Sequence, residues 1–115
     1  MTLQQKRCVP CTAETPPLSE NEIRRMAAEV RDWKVEDGKQ LRRNFRFQDF
    51  ASALAFVNRI GAVADEEDHH PDILLGWGKA EVLYTTHAMN GLSENDFIMA
   101  AKTDALAKDA PGMRL

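Results

Sequence analysis

Three histidines occur in this chain of 115 residues, and two of them are adjacent. His69 and His70 follow the acidic run Asp65-Glu66-Glu67-Asp68 and precede Pro71; the third is His87. Imidazole titrates near neutrality, so a pair of such rings can serve as proton donor and acceptor within one turnover. Three histidines also offer a zinc site that activates water. Against that choice, neighbouring side chains in an extended chain point apart, which makes His69 and His70 poor joint ligands of one ion. The four carboxylates ahead of them can orient the rings or raise their pKa values. Acids at the end of a helix oppose its macrodipole. Solvation alone therefore does not account for four of them, and at least one is expected to serve the site.

The elements that must position these groups are legible from caps and periodicity. "LSENEI" carries a helix start, with Ser19 as N-cap, Glu22 three residues on, and Leu18 and Ile23 as a hydrophobic staple. Ile23, Met26, Ala27 and Val30 form its apolar stripe, and the helix is expected to end near Arg31. Trp33 and Val35, then Leu41, Phe45 and Phe47, alternate with polar residues on either side of Gly38 and predict a hairpin. A two-residue turn would put Leu41 on the wrong face. A three-residue loop, Asp37 to Lys39, pairs Val35 with Leu41 and keeps one side apolar.

"DFASALAFVNRIGAVADEED" is the longest helical pattern, capped by Asp49, with Phe50, Leu54, Val57, Ile60 and Ala64 recurring at helical spacing. It should run out before His69, because Pro71 disfavours a helical conformation at His70. Two strands follow, Ile73 to Trp77 and Lys79 to His87, the second placing Ala80, Val82, Tyr84 and Thr86 on one face. The last helix starts at "LSEND": Ser93 is the N-cap, Asp96 sits at the third position, and Leu92 and Phe97 form the staple. Its stripe is Phe97, Ile98, Ala101 and Ala105. Hairpins separated by helices predict an α+β domain, a four-stranded antiparallel sheet with three helices on one face. Leu83, Thr85 and His87 then look out from the open face, which is solvated, ligand-binding or paired with another subunit. If the last two strands are neighbours, His87 returns toward His69 and His70.

Composition narrows the classes. The hydrophobic fraction is 43% and the formal net charge −3, with the arginines interleaved among acids. Neither a basic stripe for nucleic acid nor an apolar run of membrane-spanning length is present. We expect no nucleic-acid partner, no membrane anchorage and a cytoplasmic location. Residues 18–110 are expected to form a single domain, with 1–17 as a flexible, dispensable leader and 111–115 as a tail. The leader holds Cys8 and Cys11, a C-x-x-C with neither the second cysteine pair of a structural zinc site nor the strand-to-helix context of a redox motif.

Asp65, His69-His70-Pro71, Trp77, His87 and Asp96, at their spacing, resemble the motif of the pterin-4a-carbinolamine dehydratases. "FRFQDF" and "GLSENDFIMA" extend the likeness, which covers about Leu18 to Ala107. The resemblance implies the order α-β-β-α-β-β-α, a homodimer or homotetramer, and no metal or organic cofactor. It implies a pterin substrate: water is eliminated from a 4a-hydroxy-tetrahydropterin to give the quinonoid dihydropterin, recycling the pterin spent by an aromatic amino acid hydroxylase. By resemblance His69 and His87 are the acid/base pair, His70 contacts and orients the pterin, and Asp65 sets a ring's tautomer. Asp68, Trp77 and Asp96 are expected to contact substrate, although hairpin packing explains Trp77 equally well and the capping position of Asp96 is the leading account of that residue. The chain departs from the family where Asp65 replaces a longer glutamate and Asn95 replaces an arginine of some members. Some animal members also act as dimerisation cofactors of a transcription factor, so a protein-binding module using the open sheet face is the rival expectation.

Overall fold

Alternating burial of Leu41, Phe45 and Phe47 makes β2 (Gln40–Phe47) the central strand of the sheet. The computed structural model describes residues 1–114. β1 (Lys34–Glu36) pairs with β2 through the three-residue loop, with Val35 opposite Leu41 as the alternation requires. On its other side β2 pairs with β4 (Lys79–Tyr84), which pairs with β3 (Asp72–Gly76); all neighbours are antiparallel, in the order β1-β2-β4-β3. Helices α1 (Glu20–Ala27), α2 (Phe50–Glu67) and α3 (Glu94–Lys108) complete the order α-β-β-α-β-β-α. A short β5 (Met113–Arg114), drawn from the expected tail, adds a fifth strand beside Arg46 and Phe47. Leu115 lies outside the described residues. Among the described residues no helix is long and apolar enough to cross a membrane.

The core lies between the helices and the face holding Leu41, Phe45, Phe47, Ala80, Val82 and Tyr84. Phe56 of α2 packs on Phe45 and Phe47, with ring centroids 4.9 and 5.1 Å apart, and Trp33 meets Phe45 edge-on at 6.0 Å. Each such ring contributes about 1.5–3 kcal/mol by leaving water. In the β3–β4 turn Gly78 has a φ of +69°, and a Cβ there would stand 3.0 Å from the Phe47 carbonyl oxygen. Its lack of a side chain lets the turn lie against the end of β2, where Phe47 N donates to Gly78 O at 2.8 Å.

Four expectations change. α1 stops at Ala27 rather than near Arg31, and the tighter turns that follow bury both Val30 and Trp33. α2 buries Ala53, Phe56, Ile60 and Ala64, leaving Phe50 and Leu54 exposed. Both stripes have helical spacing; the aromatic partners offered by β2 select the one containing Phe56. β4 ends at Tyr84 rather than His87, because Thr86 bridges to Gly91 through hydrogen bonds of 3.0 and 3.4 Å and His87 opens a single 3₁₀ turn, His87–Met89. Much of the expected leader, from Leu3 to Cys11, is laid along α3: Leu3 is 3% exposed, and Lys102 Nζ donates to the Gln4 carbonyl at 2.8 Å. That cover explains why Asn95 to Ala100 are buried without a break, where one stripe was expected.

Candidate active site

The site begins where α2 ends. Asp68 caps the helix in the left-handed conformation (φ 53°, ψ 41°), which an aspartate adopts more readily than most residues. The chain leaves the helix axis there, His69 N still donates to Ala64 O at 3.2 Å, and Pro71 prevents the helix from resuming. His69 is thereby swung toward the start of α3, where its Nε2 lies 2.7 Å from Asp96 Oδ1.

Asp96 is completely buried and gathers three donors. Its Oδ2 accepts from the Thr86 hydroxyl at 2.7 Å and from the Ser93 N–H at 3.0 Å. Thr86 is itself bonded to Ser93 Oγ at 2.8 Å. An ionised carboxylate only accepts, so His69 Nε2 donates and the ring's Nδ1 is left for exchange with a substrate. The His69 ring lies nearly parallel to that of Tyr84, centroids 6.4 Å apart. Burial holds the Tyr84 phenol well above its usual range, and its hydroxyl is bonded to Thr103 at 2.7 Å, so it supports the imidazole rather than exchanging protons.

His70 takes a different partner, Asp65 Oδ1 at 2.8 Å, one turn back on α2. The adjacent imidazoles are thus committed to separate carboxylates. Among the described residues no three of His, Cys, Asp and Glu converge as a metal-ligand set.

His69, His70 and His87 line one cleft of about 520 Å³, within the range of small-molecule sites. Asp68 lines it too. Asp96 acts from behind His69, and Asp65 holds His70 from outside the lining. Trp77 is not brought to the cleft: it sits in the β3–β4 turn, 71% exposed. Four leader residues, Cys8 to Cys11, join the lining together with Glu67 and Asn95 and with Thr85, Thr86 and Ala88 beside His87. Nothing in the periodicity marks the leader as part of a site. The adjacency of Asn95 to Asp96, and of Glu67 to Asp68, was the signal available.

A larger hollow of about 750 Å³ lies between the exit of α1 and α3, and its Arg43, Asp32 and Asp104 charges are already matched. Arg43 Nη1 is 2.7 Å from Asp104 and 3.6 Å from Asp32, and Trp33 Nε1–H donates to Asp104 at 2.8 Å. Burial pushes the Asp104 carboxyl up, opposed by Trp33 and Arg43. No histidine lines it.

Comparison with known proteins gives a consistent picture. Residues 16–106 match the family described as pterin 4 alpha carbinolamine dehydratase. Proteins provisionally named pterin-4-alpha-carbinolamine dehydratase are similar along nearly their whole length. The one from Rubrobacter xylanophilus is 51% identical over 104 residues, covering 90% of this chain and 97% of its own. That from Halorhodospira halophila is 50% identical over 107 residues, covering 92% and 98%. Among solved structures, a transcriptional coactivator/pterin dehydratase from Brucella melitensis superposes with a TM-score of 0.74 at 32% identity, covering 79% of this chain and 98% of that one. A pterin dehydratase-like protein described as a RuBisCO assembly factor of the alpha-carboxysome superposes with a TM-score of 0.57 at 25% identity, covering 65% and 88%.

Proposed function

The chain belongs to the pterin 4 alpha carbinolamine dehydratase family, and on that premise we propose that it removes water from a 4a-hydroxy-tetrahydropterin to give the quinonoid dihydropterin. The observation that carries this reading is the pairing of His69 with buried Asp96 at 2.7 Å on a cleft that His87 also lines. The elimination needs a proton delivered to the departing C4a oxygen and a base for the N5 proton. It needs no electron transfer, so imidazoles suffice without a metal or organic cofactor. His69 is suited to be the base: with Nε2–H held by Asp96 its Nδ1 lone pair is free, and the carboxylate stabilises the imidazolium that forms. His87 has no side-chain partner among the described residues and is exposed, which suits a proton donor that re-equilibrates with water. His70, steadied by Asp65, and Asp68 contact the pterin from the end of α2. A homodimer or homotetramer working in the cytoplasm completes the proposal.

The test is dehydration of the carbinolamine generated by an aromatic amino acid hydroxylase, followed by absorbance. His69→Ala and His87→Ala should each lower kcat by about 10²–10⁴-fold with the fold retained. Wild-type turnover in both, or a wild type no faster than buffer, rejects the reading.

A second reading has one observation behind it. Leu74, 57% exposed, and Trp77 stand at the β3 edge of the open sheet face, and the structural relatives include a coactivator and an assembly factor. In that reading a charge at Leu83 (Leu83→Glu) abolishes partner binding while pterin turnover persists.

A further inference from the structure

Cys8 to Cys11 occupy the same cleft as the three histidines, and they are fastened there by the two elements that carry His69 and Asp96. At the start of α3 the buried carboxamide of Asn95 accepts from Val9 N at 3.0 Å and donates to Val9 O at 2.6 Å, the reciprocal pair that a neighbouring strand would make. Its Nδ2 also lies 3.4 Å from Cys11 Sγ. At the end of α2, Glu67 Oε1 accepts from Cys8 N at 2.8 Å while Oε2 meets Arg7 Nε at 2.8 Å. Farther out, Lys6 Nζ reaches Glu94 at 2.7 Å. Asn95 directly precedes the carboxylate that holds His69, and Glu67 lies two residues before His69 itself. The segment is therefore pinned at both anchors of the acid/base machinery, rather than merely resting on the core.

We infer that residues 8–11 are a strap forming the fourth wall of the site, closing the cleft over a flat heterocycle and setting its position relative to His69 and His87, with Asn95 and Glu67 as the positioning residues. The inference rests on the pterin reading above and deepens it. The strap's chemistry fits such a wall. Val9 spends its N–H and carbonyl on Asn95, and Pro10 has no N–H. Two sulfurs and a proline ring remain, surfaces that pack against an aromatic face. The Cys8 thiol, pushed up to about 12 by burial and by Glu67, stays neutral. One side of the cleft is thus uncharged and polarisable, and the other carries the imidazoles. The leader is accordingly a part of the binding site and not a dispensable extension.

The test uses two full-length variants, Val9→Pro, which removes the donor to Asn95, and Asn95→Ala, which removes both partners of Val9. Each is first shown to be folded by circular dichroism. KM for the carbinolamine and Kd for dihydrobiopterin, a stable product-like probe, should rise about tenfold in both, while kcat changes by less than about threefold. In the wild type, saturating dihydrobiopterin should slow alkylation of Cys11 by N-ethylmaleimide, and this protection should disappear in Val9→Pro. Unchanged KM and Kd in the folded variants, or alkylation indifferent to the probe, overturn the strap. Should Asn95→Ala fail to fold, Val9→Pro decides, since it leaves every residue beside Asp96 in place. A wild type that binds dihydrobiopterin without dehydrating the carbinolamine rejects the proposed reaction, and the Kd arm still judges the strap. A wild type that binds no pterin rejects both.

Discussion

Two histidine–carboxylate pairs lie side by side at the end of α2, nearly equal in length and opposite in setting. His69 meets Asp96 at 2.7 Å with side chains 12% and 0% exposed; His70 meets Asp65 at 2.8 Å with side chains 54% and 82% exposed. Distance does not distinguish them. The buried carboxylate also receives Thr86 and Ser93, so it cannot move without stranding several groups, and little water screens its field. The exposed one has a single protein partner among the described residues and water for the rest. A short contact on a surface says little about energy. Enclosure by other donors is what turns the same pair of groups into a fixed arrangement.

The sharpest way to break this comparison is Asp96→Asn. The amide keeps the shape but loses the charge, and it cannot accept from three donors as the carboxylate does. We expect kcat to fall by as much as about 10⁴-fold, as when an orienting carboxylate behind a catalytic imidazole becomes an amide. Stability should drop by about 1–3 kcal/mol, since buried donors lose partners. Steady-state kinetics and thermal unfolding measure both. Turnover close to wild type would mean that His69 is held by packing on Tyr84 alone.

The same contrast separates what was legible in the sequence from what was not. Local rules locate the histidines: Ser93 and Asp96 form a capping pair, Pro71 stops α2, and Val35 opposite Leu41 sets the register. Each depends on residues close together in the chain. The expected choice at Asp96 between cap and site was a false one, because its two oxygens serve both: Oδ2 takes the Ser93 N–H while Oδ1 holds His69. Only the closed loop from Thr86 to Gly91, a tertiary feature, puts Thr86 on that carboxylate. The face of α2 was misjudged for a like reason, since the rings of Phe45 and Phe47, distant in sequence, select Phe56. The leader was the largest omission. Its cysteines and prolines carry no period, and its attachment runs through Asn95 and Glu67, whose one mark in the sequence is their adjacency to Asp96 and Asp68.

If enclosure sets the behaviour of groups around the cleft, the Cys8 thiol should report it on a middle scale. Burial, followed by the nearby Glu67 charge, raises it from its ordinary 9.0 to about 12. Between these values the unfolded chain releases the proton while the folded chain keeps it. The native state therefore binds more protons over that window, and its stability falls as pH rises from about 9 toward 12. In a Cys11→Ser background, where Cys8 is the sole cysteine, alkylation at pH about 9 should be at least about tenfold slower in the folded protein than in urea. Equal rates would show that the strap leaves the thiol open to water.

The smallest effect belongs to Asp65→Asn, and its smallness is the content of the prediction. With Asp65 neutral, His70 exchanges one exposed acceptor for water, and no buried donor is stranded. On the proposed reaction the orientation of His70 loosens slightly, so KM should rise by less than about threefold with little change in kcat. Because the pair is exposed, added salt should erase even that difference, screening the wild-type pair toward the variant's behaviour. The Asp96→Asn deficit should persist at the same ionic strength, its carboxylate having no contact with solvent. A double-mutant cycle on each pair completes the comparison: coupling between His69 and Asp96 that survives salt, and coupling between His70 and Asp65 indistinguishable from zero. A large, salt-resistant coupling in the exposed pair would mean that His70 and Asp65 are enclosed when the protein works, by bound substrate or by a second copy of the chain, and that the two pairs do equivalent duty.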